Sequence, residues 1–137
     1  MKTNTIYKGD CRKVLKDKIP DKSIDLIFAD PPYNLSGNGL KWKNKGYGGD
    51  WYMVNEDWDK MSESEYLQFT KEWLAECKRV LKPTGSIYIS CTYHNIGELI
   101  MTLKLLGFTP RNIVTWHKNN AMPSMTKRIF THSCEYV

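Results

Sequence analysis

Ile24-Asp25-Leu26-Ile27-Phe28-Ala29 runs directly into Asp30-Pro31-Pro32-Tyr33-Asn34-Leu35, and this junction decides the architecture. The first six residues are rich in Ile, Leu and Phe and are the length of a strand. They stop at consecutive prolines, as a central strand does when it ends abruptly. In open α/β sheets, ligands sit just beyond such carboxyl ends. Neither proline has an N–H and each fixes its φ, so the Pro31 carbonyl is held in one direction with no donor beside it. Asp30 and Pro31 therefore form a rigid pair of hydrogen-bond acceptors at the mouth of the sheet.

Such a pair suits the exocyclic amino group of adenine or cytosine, a poor nucleophile because its lone pair is delocalised into the ring. If Asp30 and the Pro31 carbonyl each accept one amino hydrogen, the nitrogen can pyramidalise and turn its lone pair toward an electrophilic methyl group. Positioning and charge stabilisation then suffice without a covalent intermediate. Inside a duplex the amino group is out of reach, so the nucleotide must be extruded, and the Tyr33 ring offers a face to stack on it. The plainer alternative is an Asp-Pro-Pro turn that ends a strand, with Tyr33 as packing.

Asp30-Pro31-Pro32-Tyr33-Asn34-Leu35 resembles the catalytic motif of S-adenosylmethionine-dependent amino methyltransferases acting on DNA. Asp at the first place is more typical of the adenine-N6 enzymes and Ser of the cytosine-N4 enzymes. Gly9-Asp10-Cys11, Arg79-Val80-Leu81-Lys82-Pro83-Thr84-Gly85, Tyr93-His94-Asn95-Ile96, Asn112 to Lys118 and Arg128 to Glu135 follow in family order. They are similar to the group whose catalytic motif precedes its cofactor motif, above all cell-cycle-regulated and restriction-modification adenine enzymes. In Asn120-Ala121-Met122-Pro123-Ser124 the second and fifth places depart from the Pro and Asn usual in relatives.

The resemblance implies a Rossmann-like α/β methyltransferase sheet, mainly parallel, with helices on both faces, of which this chain is the catalytic half. It implies Asp30, Pro31, Pro32 and Tyr33 as catalytic residues, and Asn34, Leu35, Trp42 and Lys118 as substrate contacts. Asp10, Cys11 and Asp30 are implied at the edge of the S-adenosylmethionine site. The implied partners are double-stranded DNA, with single-stranded DNA as the alternative, and the remainder of the methyltransferase chain. Cytosine-N4 or RNA amino methylation, or a cofactor-free nucleic-acid-binding remnant, stay open as alternatives.

Glycine placement supports the half-enzyme expectation. Gly37-Asn38-Gly39 is a closely spaced G-x-G; no strand leads into it and no amphipathic helix follows, so it lacks the context of a nucleotide-binding turn. The chain is expected to be the N-terminal part of a larger enzyme and not to transfer methyl groups alone.

Composition agrees. A chain of 137 residues has room for one domain that buries about two thirds of its unfolded surface. Net charge +5 and pI near 9.0 favour a polyanionic partner. Lys41, Lys43 and Lys45 interleave with Trp42 and Tyr47, and Lys118, Lys127 and Arg128 bracket a later polar loop, a mix that neutralises phosphates and stacks on bases. Cys11, Cys77, Cys91 and Cys134 contain no C-x-x-C, and His94, His117 and His132 have no zinc spacing with them, so reduced thiols and no metal are expected. There is no secretory pattern at Met1-Lys2-Thr3 and no apolar run near the ~20 residues of a membrane span; a cytoplasmic location is expected.

Along the chain, Thr5 to Lys8 reads as a short strand and Cys11 to Lys18 as a helix stopped by Pro20. Ser62 to Lys82 reads as a long helix with a Ser62/Glu65 capping box and an apolar face of Tyr66, Phe69, Trp73, Cys77 and Val80. Lys82-Pro83-Thr84-Gly85 reads as a turn into a strand, Ser86 to Ser90. Asn95 to Leu106 is a helix ending at Gly107, and Arg111 to His117 is strand-like. Such alternation argues a parallel sheet flanked by helices in a single partial domain, 1–137. Residues 34–61 carry five glycines and five Trp or Tyr without period, well beyond the ~12 to 15 residues usual for a structureless connection. Following the catalytic motif, they are expected to form a lid over the target base or DNA strand.

Overall fold

A computed structural model describes residues 3–36, 56–120 and 130–137. Helix α1, Cys11–Lys18, begins where the Asp10 carboxylate accepts the Arg12 N–H. Strand β1, Ile24–Ala29, follows after Pro20. Helix α2, Glu63–Val80, starts at the reciprocal Ser62/Glu65 capping box, which satisfies two N–H groups that a helix start leaves unpaired. Pro83 biases Lys82 away from helical geometry, and the chain passes without a gap into strand β2, Leu81–Ile89. Helix α3, Ile96–Leu105, is closed by Gly107 at φ +74°. Strands β3, Thr115–His117, and β4, Cys134–Tyr136, complete the order.

β1 and β2 pair in parallel, from Ile24 opposite Leu81 to Ala29 opposite Ile89. Between Ile24 and Leu26 the partner advances from Leu81 to Ser86, so the expected turn at Lys82–Gly85 is an irregularity inside β2. Gly85 permits it, since a Cβ there would lie 2.9 Å from the Asp25 carbonyl oxygen. β3 and β4 form an antiparallel pair, joined to the end of β2 by the Cys91–Tyr136 bridge. The described strands thus make a parallel pair, β1–β2, and a separate antiparallel pair, β3–β4, linked by that one bridge. Thr5 to Lys8, expected as a strand, has no regular structure. Arg111 to His117 is strand only in its last three residues.

The core gathers Trp73, Leu74 and Cys77 of α2, Ile89 and Cys91, and Leu99 of α3, with Leu15, Ile27, Ala29 and Ile87 packed against it. Because strand side chains alternate, Ile27 and Ala29 face the helices while Leu26 and Phe28 point the other way. They are 59% and 68% exposed. Among the described residues, helices cover one face of β1, and β2 is its only strand neighbour. No described helix is long and apolar enough to cross a membrane. All four cysteines are free.

Candidate active site

β1 delivers Asp30 to the sheet's carboxyl end, and the pairing continues one step past the strands through the Ser90 N–H to the Ala29 carbonyl at 2.8 Å. The next residue, Cys91, exchanges two backbone hydrogen bonds with Tyr136. The ends of β1, β2 and β4 therefore meet beside Asp30. Asp30 is exposed, whereas Pro31, Pro32, Tyr33 and Asn34 are half-buried.

Tyr33 folds back so that its hydroxyl donates to Asp30 Oδ1 at 2.7 Å. Partial burial, and then the Asp30 carboxylate, push the phenol well above its ordinary range, with the Ser90 hydroxyl acting in the opposite sense. The phenol therefore stays protonated and remains a donor at neutral pH. The ring assigned to stacking thus also holds the carboxylate that it follows.

Asn34 stands in the left-handed region at φ +55°, where side-chain-bearing residues are uncommon. Its amide accepts from the Met61 N–H at 2.7 Å and donates to the Met61 carbonyl at 2.9 Å. Its backbone N–H, with those of Leu35 and Ser36, donates to the buried Asp59 carboxylate. Leu35 is exposed. Trp42, and most of the expected lid, lie outside the described residues, as does the departure at 121–124.

Lys118 is ion-paired with Glu135 and lies 5.1 Å from the Trp116 ring centroid, so its charge already has a partner in the β3–β4 pair. Asp10 is the N-cap of α1 and pairs with the Arg12 guanidinium at 2.6 Å. Arg12 holds the Asp10 carboxyl below the usual carboxylate range. Cys11 and Gly9 line a trough of about 530 Å³ shared with Phe28, Asp30, Pro31 and Pro32. The structure therefore brings Cys11 to one surface with Asp30, Pro31 and Pro32, whereas Asp10 and Tyr33 do not line it. Trp73 also lines it; its Nε1 is buried with no acceptor among the described residues.

Asp59, Ser90 and Glu135 escaped sequence reasoning. Asp59 is 23 to 25 residues from the amides it binds, too far for any local spacing to signal. A second cluster was also missed: the Tyr93 ring stacks on His132 at 3.7 Å and 9° and lies 3.8 Å from His94. Aromatic residues around the expected pocket were the available signal, without means to pair them.

The DNA methylase family, of the N6/N4 methyltransferase type, matches residues 24–137. The type II methyltransferase M2.MboI of Moraxella bovis is 41% identical over 99% of this chain and 49% of its own length. M.HinfI of Haemophilus influenzae is 41% identical over 96% of this chain and 36% of its own. The chain thus spans half or less of the length of these relatives. Among solved structures, the cytosine-N4-specific PvuII DNA methyltransferase superposes with TM-score 0.65 at 19% identity over 95% of this chain and 45% of its own. The M1.HpyAVI–SAM complex gives 0.57 at 23% identity over 95% and 50%. These likenesses show a Rossmann-like methyltransferase fold, and with the match over residues 24–137 the chain belongs to the DNA methylase family.

Proposed function

We propose that this chain carries the target-base half of a DNA adenine-N6 methyltransferase that takes its methyl group from S-adenosylmethionine. The observation that carries this is the Asp30 carboxylate at the mouth of β1, followed by two prolines and fixed by the Tyr33 hydroxyl at 2.7 Å. With Oδ1 engaged by Tyr33, Oδ2 and the Pro31 carbonyl are the acceptors for the two amino hydrogens. Their partial negative charge stabilises the positive charge that develops on nitrogen as it attacks, and the surplus proton leaves afterwards. The Tyr33 ring lies beside the base and offsets lost stacking.

The cofactor supplies an electrophilic methyl group on a sulfonium. The trough suits part of such a ligand: its wall is apolar at Phe28 and Leu26, it carries a carboxylate at Asp30, and the buried Trp73 Nε1 has no acceptor among the described residues. Asp10, committed to Arg12 and α1, acts there by fixing Gly9 and Cys11 at the rim. The remaining cofactor contacts fall to the rest of the methyltransferase chain. Leu35, Trp42 and Lys118 contact duplex DNA, Lys118 by exchanging Glu135 for a phosphate, and the enzyme works in the cytoplasm.

The test is transfer of a tritiated methyl group by the whole protein to duplexes in which either adenine or cytosine is replaced by an analogue lacking the amino group. Label recovered as N6-methyladenine is expected. Label in N4-methylcytosine, or none in DNA, overturns the proposal.

A further inference from the structure

Residues 34–36 present three consecutive backbone N–H groups to one side chain far away in sequence. Asp59 Oδ1 accepts from Asn34 at 2.7 Å, and Oδ2 accepts from Leu35 at 3.0 Å and Ser36 at 2.9 Å. Asp59 is 4% exposed and sits in a one-turn 3-10 helix, Asp57–Asp59. Successive N–H groups converging on a carboxylate form an anion nest, and bonds to an ionised acceptor are roughly twice as strong as neutral ones. Beside it, Asn34 is locked to both backbone groups of Met61. Two strands of chain are thus clamped together immediately after Tyr33.

The clamp lies one residue from the side chain that holds Asp30. Asn34 at φ +55° sets the direction in which the chain leaves Tyr33, in a conformation that asparagine tolerates better than other residues with a Cβ but does not favour. Without the carboxylate, three part-buried N–H groups lose their acceptor and Asn34 is free to relax to an ordinary φ. The Tyr33 hydroxyl would then swing away from Asp30.

We propose that Asp59 is a positioning residue for methyl transfer: it never touches the base, and by clamping Asn34–Ser36 it holds the Tyr33 hydroxyl on Asp30. This rests on the adenine-methylation proposal, and the experiment separates the two. An amide at this place has one acceptor oxygen and turns an NH₂ group toward the remaining N–H donors, so Asp59→Asn breaks the clamp at constant size.

In the whole protein, Asp59→Asn and Asp59→Glu are compared with the parent by three measurements. Hydrogen exchange follows the amides of 34–36, NMR of ring-labelled tyrosine follows the Tyr33 titration, and steady-state kinetics gives kcat and KM for DNA. Asp59→Asn should release the three amides, bring the Tyr33 titration down toward that of a free tyrosine, and lower kcat by up to about fivefold, the worth of the one hydrogen bond it frees, with KM within about threefold. Asp59→Glu, which keeps the charge and both oxygens, should fall between. Combined with Tyr33→Phe, Asp59→Asn should add little further loss, since both act through one hydrogen bond.

Unchanged Tyr33 titration and kcat in Asp59→Asn, despite released amides, would overturn the inference and leave Asp59 as an ordinary loop anchor. Additive losses with Tyr33→Phe would do the same. Should Asp59→Asn fail to fold, Asp59→Glu decides by the same three readings. Should the parent transfer no methyl group to DNA, the adenine proposal fails while the Tyr33 titration still decides the role of Asp59.

Discussion

Residues 63–89 and residues 30–36 lie against the same sheet and are held by different physics. The first region is held by burial: Leu74 and Val80 of α2 are 0% exposed, and burial pushes the Cys77 thiol up to about 12. The second has only Ser36 fully buried and takes its shape from directed hydrogen bonds: Tyr33 to Asp30, Asn34 to Met61, three amides to Asp59. Burial is strong but has no direction, whereas a net hydrogen bond contributes only about 1 kcal/mol yet fixes an angle. On the proposed chemistry, a site that aims two acceptors at one nitrogen needs the second kind of support, mounted on the first.

The widest separation should come from Leu74. Removing a fully buried leucine deletes transfer free energy and leaves a cavity, at about 2–5 kcal/mol. Leu74→Ala should therefore lower the unfolding free energy in urea by that amount, while methyl transfer per folded molecule stays near parental. A loss below about 1 kcal/mol would show that α2 does not carry the domain's stability.

Asp30→Ala should show the reverse. Losing one transition-state acceptor is expected to slow methyl transfer by about a hundredfold or more, while DNA binding changes little. Stability should fall by no more than about 1 kcal/mol, the worth of the single Tyr33 hydrogen bond that Asp30 accepts. Single-turnover kinetics beside a urea titration reads both. Near-parental turnover would remove Asp30 from the chemistry, and a large loss of stability would erase the distinction between the two regions.

How much of each region was legible in the sequence follows the same division. Burial writes itself as period: the stripe Tyr66, Trp73, Cys77 and Val80 and the capping box at Ser62 located α2, and Ile24 to Ala29 located β1. The expected turn at Lys82–Gly85 lies instead inside β2, because Gly85 lets the backbone pass within contact of Asp25 and an irregular register absorbs the extra residues. Thr5 to Lys8 has strand-like residues but no regular structure. In the candidate site, the placement of Asp30 to Tyr33 at the end of β1 was legible because they follow it directly along the chain. Asp59 was not, since nothing about one carboxylate among several in 56–65 marks it as the acceptor for amides 23 to 25 residues away. The antiparallel β3–β4 pair also depends on contacts that no local pattern encodes. Lys118 was legible as a cation but not as the partner of Glu135.

The smallest expected effect lies where the two kinds of support meet, at Tyr33. Its ring is half-buried and its hydroxyl is directed at Asp30. If the ring serves only to stack, Tyr33→Phe should be silent. The 2.7 Å bond argues otherwise: Phe keeps the face but releases Asp30 Oδ1, and one hydrogen bond to a carboxylate lost from a partly exposed site corresponds to about 1 kcal/mol, roughly a fivefold slower transfer step. Tyr33→Ala also gives up base stacking, about 1–3 kcal/mol more, and should abolish the fluorescence rise of 2-aminopurine placed at the target position. The pH dependence has a definite sign. Because burial and Asp30 raise the Tyr33 pKa, the donor persists below that raised value and is lost only as pH climbs through it. The parent-to-Phe rate ratio should therefore stay constant from about pH 6.5 to 9, a range below the ordinary tyrosine pKa of about 10. A Phe variant as slow as the Ala variant would mean that the hydroxyl moves a proton in the reaction. A Phe variant as fast as the parent would mean that Asp30 needs no holding, and the hydrogen-bonded region would lose its claim to aim the chemistry.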